Sequence, residues 1–78
     1  MANNKPVHEA RIGKIRAAVW ENKGEKGTWY NVTLTRSYLD GKEWKDTSSF
    51  RPDDLLAVAK LADLAHTWCL EQRNAEST

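Results

Sequence analysis

The sequence predicts an α+β domain: an antiparallel meander of three to four strands followed by one long C-terminal helix. Three observations carry this. Residues 11–21 and 28–38 alternate apolar and polar side chains with period two, Asp40-Gly41 is a tight-turn dipeptide, and residues 52–70 carry apolar positions at helical spacing.

The first nine residues, MANNKPVHE, are polar, contain Pro6 and show no period, which predicts a flexible arm ahead of a single domain over residues 10–72. In RIGKIRAAVWE, Ile15, Ala17 and Val19 fall on one side of a strand, and Lys14, Arg16, Ala18 and Trp20 on the other. The glycine-bearing NKGEKG of residues 22–27 reads as a hairpin loop. The next segment, TWYNVTLTRSY, is rich in β-branched and aromatic residues, with Tyr30, Val32 and Leu34 alternating against Trp29, Asn31, Thr33 and Thr35. After Asp40-Gly41, EWKDTSSF makes a third strand ending at Phe50, and a fourth strand is left to the arm.

Pro52 suits a first helical turn, where its missing N–H has no partner to lose. Asp53 and Asp54 place negative charge at the positive end of the helix dipole. On a helical projection Leu55, Val58, Ala59, Ala62, Ala65 and Cys69 form one apolar stripe, and Leu61, Leu64 and Trp68 a second. Together they cover roughly 240°, more than the 100° or so that a single packed face requires. The expectation is that the first stripe packs on the sheet while Leu61, Leu64 and Trp68 meet the helix of a second copy, giving a helix-mediated homodimer. Residues 73–78 read as a frayed end.

A chain of 78 residues hides only about 60–65% of its unfolded surface, so association would help stabilise it. One cysteine permits no internal disulfide and no four-ligand zinc site. No apolar run is long enough for a bilayer and the first residues lack a signal-peptide core, so the expected protein is cytoplasmic, with no membrane partner, metal or cofactor. The net charge of +1 divides unevenly: residues 1–51 hold ten Lys or Arg against six Asp or Glu, and residues 52–78 hold two against five.

The basic excess belongs to the strands. Alternation places Lys14, Arg16, Trp20, Trp29, Asn31, Thr33, Thr35, Lys45, Thr47 and Ser49 on the face away from the helix, with no acid among them. Cations that follow a phosphate backbone and flat rings on which bases stack are what single-stranded nucleic acid needs. A duplex reader is disfavoured because no helix carries basic residues for a groove. The same residues permit a plainer reading, in which Trp20 and Trp29 form a cross-strand pair covering the sheet and the threonines simply face water.

Catalysis finds little support. His66 and Cys69 are three apart on the helix, but two ligands do not hold a structural zinc, and His8 in the arm has no identifiable partner. Asp40 suits a turn and Asp53 with Asp54 a helix start, rather than a magnesium cluster. There is no phosphate-binding glycine loop, and Ser48 and Ser49 have no evident base. The protein is expected to be non-enzymatic.

RIGKIRAAVWENKG, the strand ending in TRSYLDG, the SSF strand end and the helix start Arg51-Pro52-Asp53-Asp54-Leu55 occur in an order that resembles the C-terminal domain of the transcriptional coactivator positive cofactor four. The resemblance spans residues 10–65 and extends to the related whirly proteins. It implies a single-stranded DNA-binding sheet in a helix-mediated dimer, with a coactivator-like or replication-accessory role. Lys14 and Arg16 correspond to the family's basic first strand, Lys23 and Lys26 to its basic loop, and Arg36 with Tyr38 to the arginine-aromatic end of its second strand. The family's following aromatic is Leu39 here, leaving Trp20, Trp29 or Trp44 to stack. The expected contacts are therefore Lys14, Arg16, Lys23, Lys26, Arg36 and Lys45 to phosphates, and Trp20, Trp29 and Tyr38 to bases. The rival is a homodimeric protein-interaction module, favoured by the near-neutral charge and the mixed-charge third strand.

Overall fold

The structure, a computed structural model, describes residues 5–76. Four strands, β1 (His8–Ile12), β2 (Ile15–Gly24), β3 (Gly27–Asp40) and β4 (Glu43–Thr47), form one antiparallel sheet in the order β1-β2-β3-β4. A short 3₁₀ turn, Pro52–Asp54, leads into the helix α1 (Leu55–Glu76). This is the expected α+β meander with a C-terminal helix.

The fourth strand joins the end of the expected arm, His8 and Glu9, through Ala10 to Arg11 and Ile12, and a turn divides these last two from the rest of the predicted first strand. Ile12 pairs with Ile15 around a two-residue loop, Gly13-Lys14, in which Gly13 has φ 60°. Asp40 pairs with Glu43 around Gly41-Lys42, where Gly41 has φ 65°. Both loops set glycine, with positive φ, before a lysine whose φ is not positive, the arrangement of a type II′ hairpin turn. The expected arm accordingly ends early: His8 and Glu9 belong to β1, and the Val7 N–H donates to the Val19 carbonyl at 2.8 Å. Residues 1–4 of that arm lie outside the described residues. α1 continues to Glu76, into the segment expected as a frayed end; residues 77–78 are not described.

The helix start is fixed by its acids. The Arg51 N–H donates to the Asp54 carboxylate at 3.1 Å, and the Asp54 N–H donates to the Arg51 carbonyl at 2.8 Å. Asp54 thus satisfies the entry to the first turn from its own side chain, as the acidic member of a capping box does.

α1 packs on the β1–β2 side of the sheet. Its core contact is Leu61, fully buried against Ile15 and Ala17, with Ala10, Leu34, Phe50, Ala57 and Val58 around them. Lower down, the Trp68 ring stacks on His8 at 5.1 Å between centroids and meets Tyr30 edge-on at 5.3 Å. The expected dimer seam is therefore incorrect for two of its three residues: Leu61 and Trp68 face their own sheet. The reason is size complementarity. Ala10 and Ala17 leave a hollow that Leu61 fills, whereas turning Ala59 and Ala62 inward would set small residues against small ones and leave a void. Leu64 lies at the margin, 39% exposed, while Leu55 of the stripe expected to face the sheet is 55% exposed.

Candidate nucleic-acid interface

Directly paired residues of an antiparallel sheet point to the same face, so the register divides the candidate site residues. Ala17, on the helix side, pairs with Ala10 and Leu34. The same side then includes Lys23, Arg36, Tyr38 and Lys45, because Ile15 pairs with Arg36 and Tyr38 with Lys45. The opposite side holds Glu9 and Arg11 of β1, Arg16, Ala18, Trp20 and Asn22 of β2, Trp29, Asn31, Thr33, Thr35, Ser37 and Leu39 of β3, and Trp44 and Asp46 of β4.

Four expected nucleic-acid contacts are thereby separated from the others. Arg36 is half-buried on the helix side, where its Nε donates to the Ser49 carbonyl at 3.0 Å and lies 3.7 Å from the Asp54 carboxylate. Its guanidinium also sits 5.9 Å from the centre of the Tyr38 ring. Arg36 thus ties the β4–α1 connection to β3 rather than presenting a cation on the outer face. Lys45 pairs with Asp40 at 2.8 Å on that same side, and Lys23 approaches Glu21 at 3.7 Å. Lys45 was expected on the outer face with Thr47; the register places both on the helix side and turns Trp44 and Asp46 outward. Lys26 lies in the β2–β3 loop, at the far end of the molecule from Lys14.

On the outer face the remaining residues converge. The Lys14 ammonium lies 5.7 Å from the centre of the Trp44 ring, a cation–π distance. Arg11, Gly13, Lys14, Ser37 and Trp44 line one shallow cleft. The Gly13-Lys14 turn reaches this position because the Ser37 N–H donates to the Lys14 carbonyl at 2.9 Å, joining the turn to β3 beside β4. Trp44 is 62% exposed and Leu39, its direct partner, 54%. Arg11 pairs with Arg16, which in turn meets Glu9 at 3.2 Å.

The other two outer tryptophans differ in freedom. Trp20 donates from its indole nitrogen to the Thr33 hydroxyl at 2.9 Å and is half-buried, so its ring is held on the sheet. Trp29 is 52% exposed, and its ring rests over Gly24: a Cβ there would lie 2.8 Å from the ring. The face also carries acids that the sequence reading left off it. Glu9 forms an exposed ion pair with Arg16, and Asp46 accepts from the Ser37 hydroxyl at 2.9 Å.

Alternation through one continuous strand turns Arg11 away from Lys14 and Arg16, whereas the hairpin pairs it with Arg16 on the outer face. The signal that locates it is Gly13-Lys14 between two isoleucines, a hairpin turn that folds Arg11 back beside Arg16. His66 and Cys69 border a different cleft, between the start of β3 and the C-terminal half of α1, with Thr28, Tyr30 and Arg73. Burial pushes the Cys69 thiol above its ordinary range, opposite to what a metal ligand or nucleophile requires. No metal-binding group of three or more His, Cys, Asp or Glu occurs among the described residues, and no described helix is long and apolar enough to cross a membrane.

No family model, curated protein or solved structure matches the chain.

Proposed function

We propose that the protein is a non-enzymatic single-stranded nucleic-acid-binding module whose contact surface is the sheet face away from α1. The observation that carries the reading is the Arg11, Lys14 and Trp44 cleft, in which two cations flank a largely exposed indole. Phosphates would bind Arg11 and Lys14 while a base stacks on Trp44, and the strand would continue over Arg16 toward Trp29. The resemblance to the positive cofactor four domain makes single-stranded DNA the first ligand to test, in an accessory role in transcription or replication.

Stacking on one aromatic contributes about 1–3 kcal/mol. Neutralising three phosphates through Arg11, Lys14 and Arg16 gives a salt slope of about −2, taking about 0.7 per phosphate for single strands. Anisotropy titration of a fluorescent oligonucleotide at several salt concentrations tests this. The expected outcome is micromolar binding at low salt with a slope near that value, weakened by Lys14→Glu; no binding at low salt would refute the proposal. The competing reading is a docking surface for another protein, favoured by the exposed Leu39–Trp44 pair and by Glu9 and Asp46. An unaltered sheet that ignores oligonucleotides would favour it.

A further inference from the structure

We propose that β3 is the pairing edge of a homodimer, joined antiparallel to β3 of a second copy along residues 28–35. The proposal rests on the sheet register and is independent of nucleic-acid binding.

β3 is longer than either neighbour. It pairs with β2 over residues 27–36 but with β4 over residues 36–40 alone. Among the described residues no strand lies beside residues 28–35 on the β4 side. This leaves about 27 Å of strand edge at ~3.4 Å per residue. The Ser37 N–H points to the β2 side, toward Lys14, and backbone direction alternates along a strand. The N–H and C=O groups of Val32 and Leu34 therefore point away from β2, into the open edge.

Edges left open are ordinarily protected by charge, proline or a bulge. β4 follows that rule with Glu43, Lys45 and Asp46, and β1 with Glu9 and Arg11. Residues 28–35, TWYNVTLT, contain no charged residue and no proline, and their register with β2 is unbroken. This segment has the composition of a paired strand.

What lies above the edge points to a second copy as its occupant. Val32 is on the helix side yet 42% exposed, because α1 sits toward β1 and β2. The flank of α1 on the β3 side carries Leu55, Ala59, Ala62, Cys69 and Leu70 with His66 and Arg73 among them and no carboxylate; Leu55 is 55% and Leu70 40% exposed. Lys60 and Glu71 are on the other flank, and exposed Asp63 lies between the two, opposite the core. Antiparallel pairing of β3 with itself is an isologous two-fold contact. It brings the same largely apolar flank from both copies over the joined strands, and a heterologous peptide strand would leave those helices uncovered. The product is one eight-stranded sheet with both outer faces side by side.

Sedimentation equilibrium of the full chain at up to about 200 μM should give twice the 8.9 kDa monomer mass. Val32→Pro tests the edge itself. Its lost N–H takes no bond from the β2–β3 ladder, so an open edge tolerates it and a paired one does not. Val32→Lys serves if the proline distorts the strand. Each is expected to raise the dimer dissociation constant at least tenfold while keeping the sheet signal in circular dichroism. A wild-type monomer at every concentration overturns the proposal. So does a dimer that survives both substitutions but is lost in Leu70→Lys, which would make the helix flank alone the interface.

Discussion

Leu61→Ala is the substitution that separates the observed packing from a helix seam. Leu61 has no exposed surface and lies against Ile15 and Ala17, with Ala10 and Ala57 beside them. Those alanines cannot extend into a vacated space, so the loss belongs in the middle of the usual range for leucine truncation, about 3 kcal/mol. A domain of 78 residues has a total stability of roughly 4–12 kcal/mol. Its unfolding entropy is about 0.16 kcal/mol/K at ~2.1 cal/mol/K per residue, so that loss lowers the melting temperature by about 18 °C. Leu64→Ala, at a site 39% exposed, should lower it by about 6 °C or less, from a loss near 1 kcal/mol. Melting both variants by circular dichroism at two protein concentrations tenfold apart provides the test. A smaller shift for Leu61→Ala than for Leu64→Ala would refute the assignment. So would a Leu61 effect that appeared only at the higher concentration, where a dimer seam contributes most.

Other predictions follow from single sites. Trp44→Ala should weaken oligonucleotide binding by about 5- to 150-fold, equivalent to 1–3 kcal/mol of stacking, with melting nearly unchanged because the ring is largely exposed. Gly41→Val, at φ 65°, should destabilise the protein by about 1–2 kcal/mol through backbone strain, measured by urea unfolding. Trp20→Phe removes the bond to the Thr33 hydroxyl and should cost about 1 kcal/mol in the same assay. Because burial raises the Cys69 pKa, the folded state holds the thiol proton more tightly than the unfolded chain. The stability this gives is full below the unfolded thiol pKa and is lost as pH rises through the folded one. Iodoacetamide at pH 8.5 should therefore label the native protein more slowly than the urea-unfolded chain; equal rates would contradict the burial.

Much of the chemistry was legible before the fold, but its arrangement was not. Alternation alone puts Arg16, Trp20 and Trp29 on the correct side of the sheet because it needs only local sequence, whereas Lys14 reaches that side from a turn. Lys45 was misplaced because one residue of register decides the face. That register follows from the Gly41-Lys42 turn rather than from any pattern within EWKDT. Arg36 illustrates a different limit: its alternation was visible, but its bonds to Ser49 and Asp54 join positions 13 and 18 residues away.

The sequence by itself determined the element order, the helix start at Pro52-Asp53-Asp54 and the apolar character of both helix stripes, since period and capping act within a few residues. Tertiary structure decided which residues of the two stripes form the core, Val58 and Ala65 from the first and Leu61 with Trp68 from the second, because the choice depends on the hollow that Ala10 and Ala17 present to Leu61. It also decided that Arg11, Lys14 and Trp44 share a cleft, because the Lys14 carbonyl joins the first hairpin to β3 and brings three separate strands and a turn to one place.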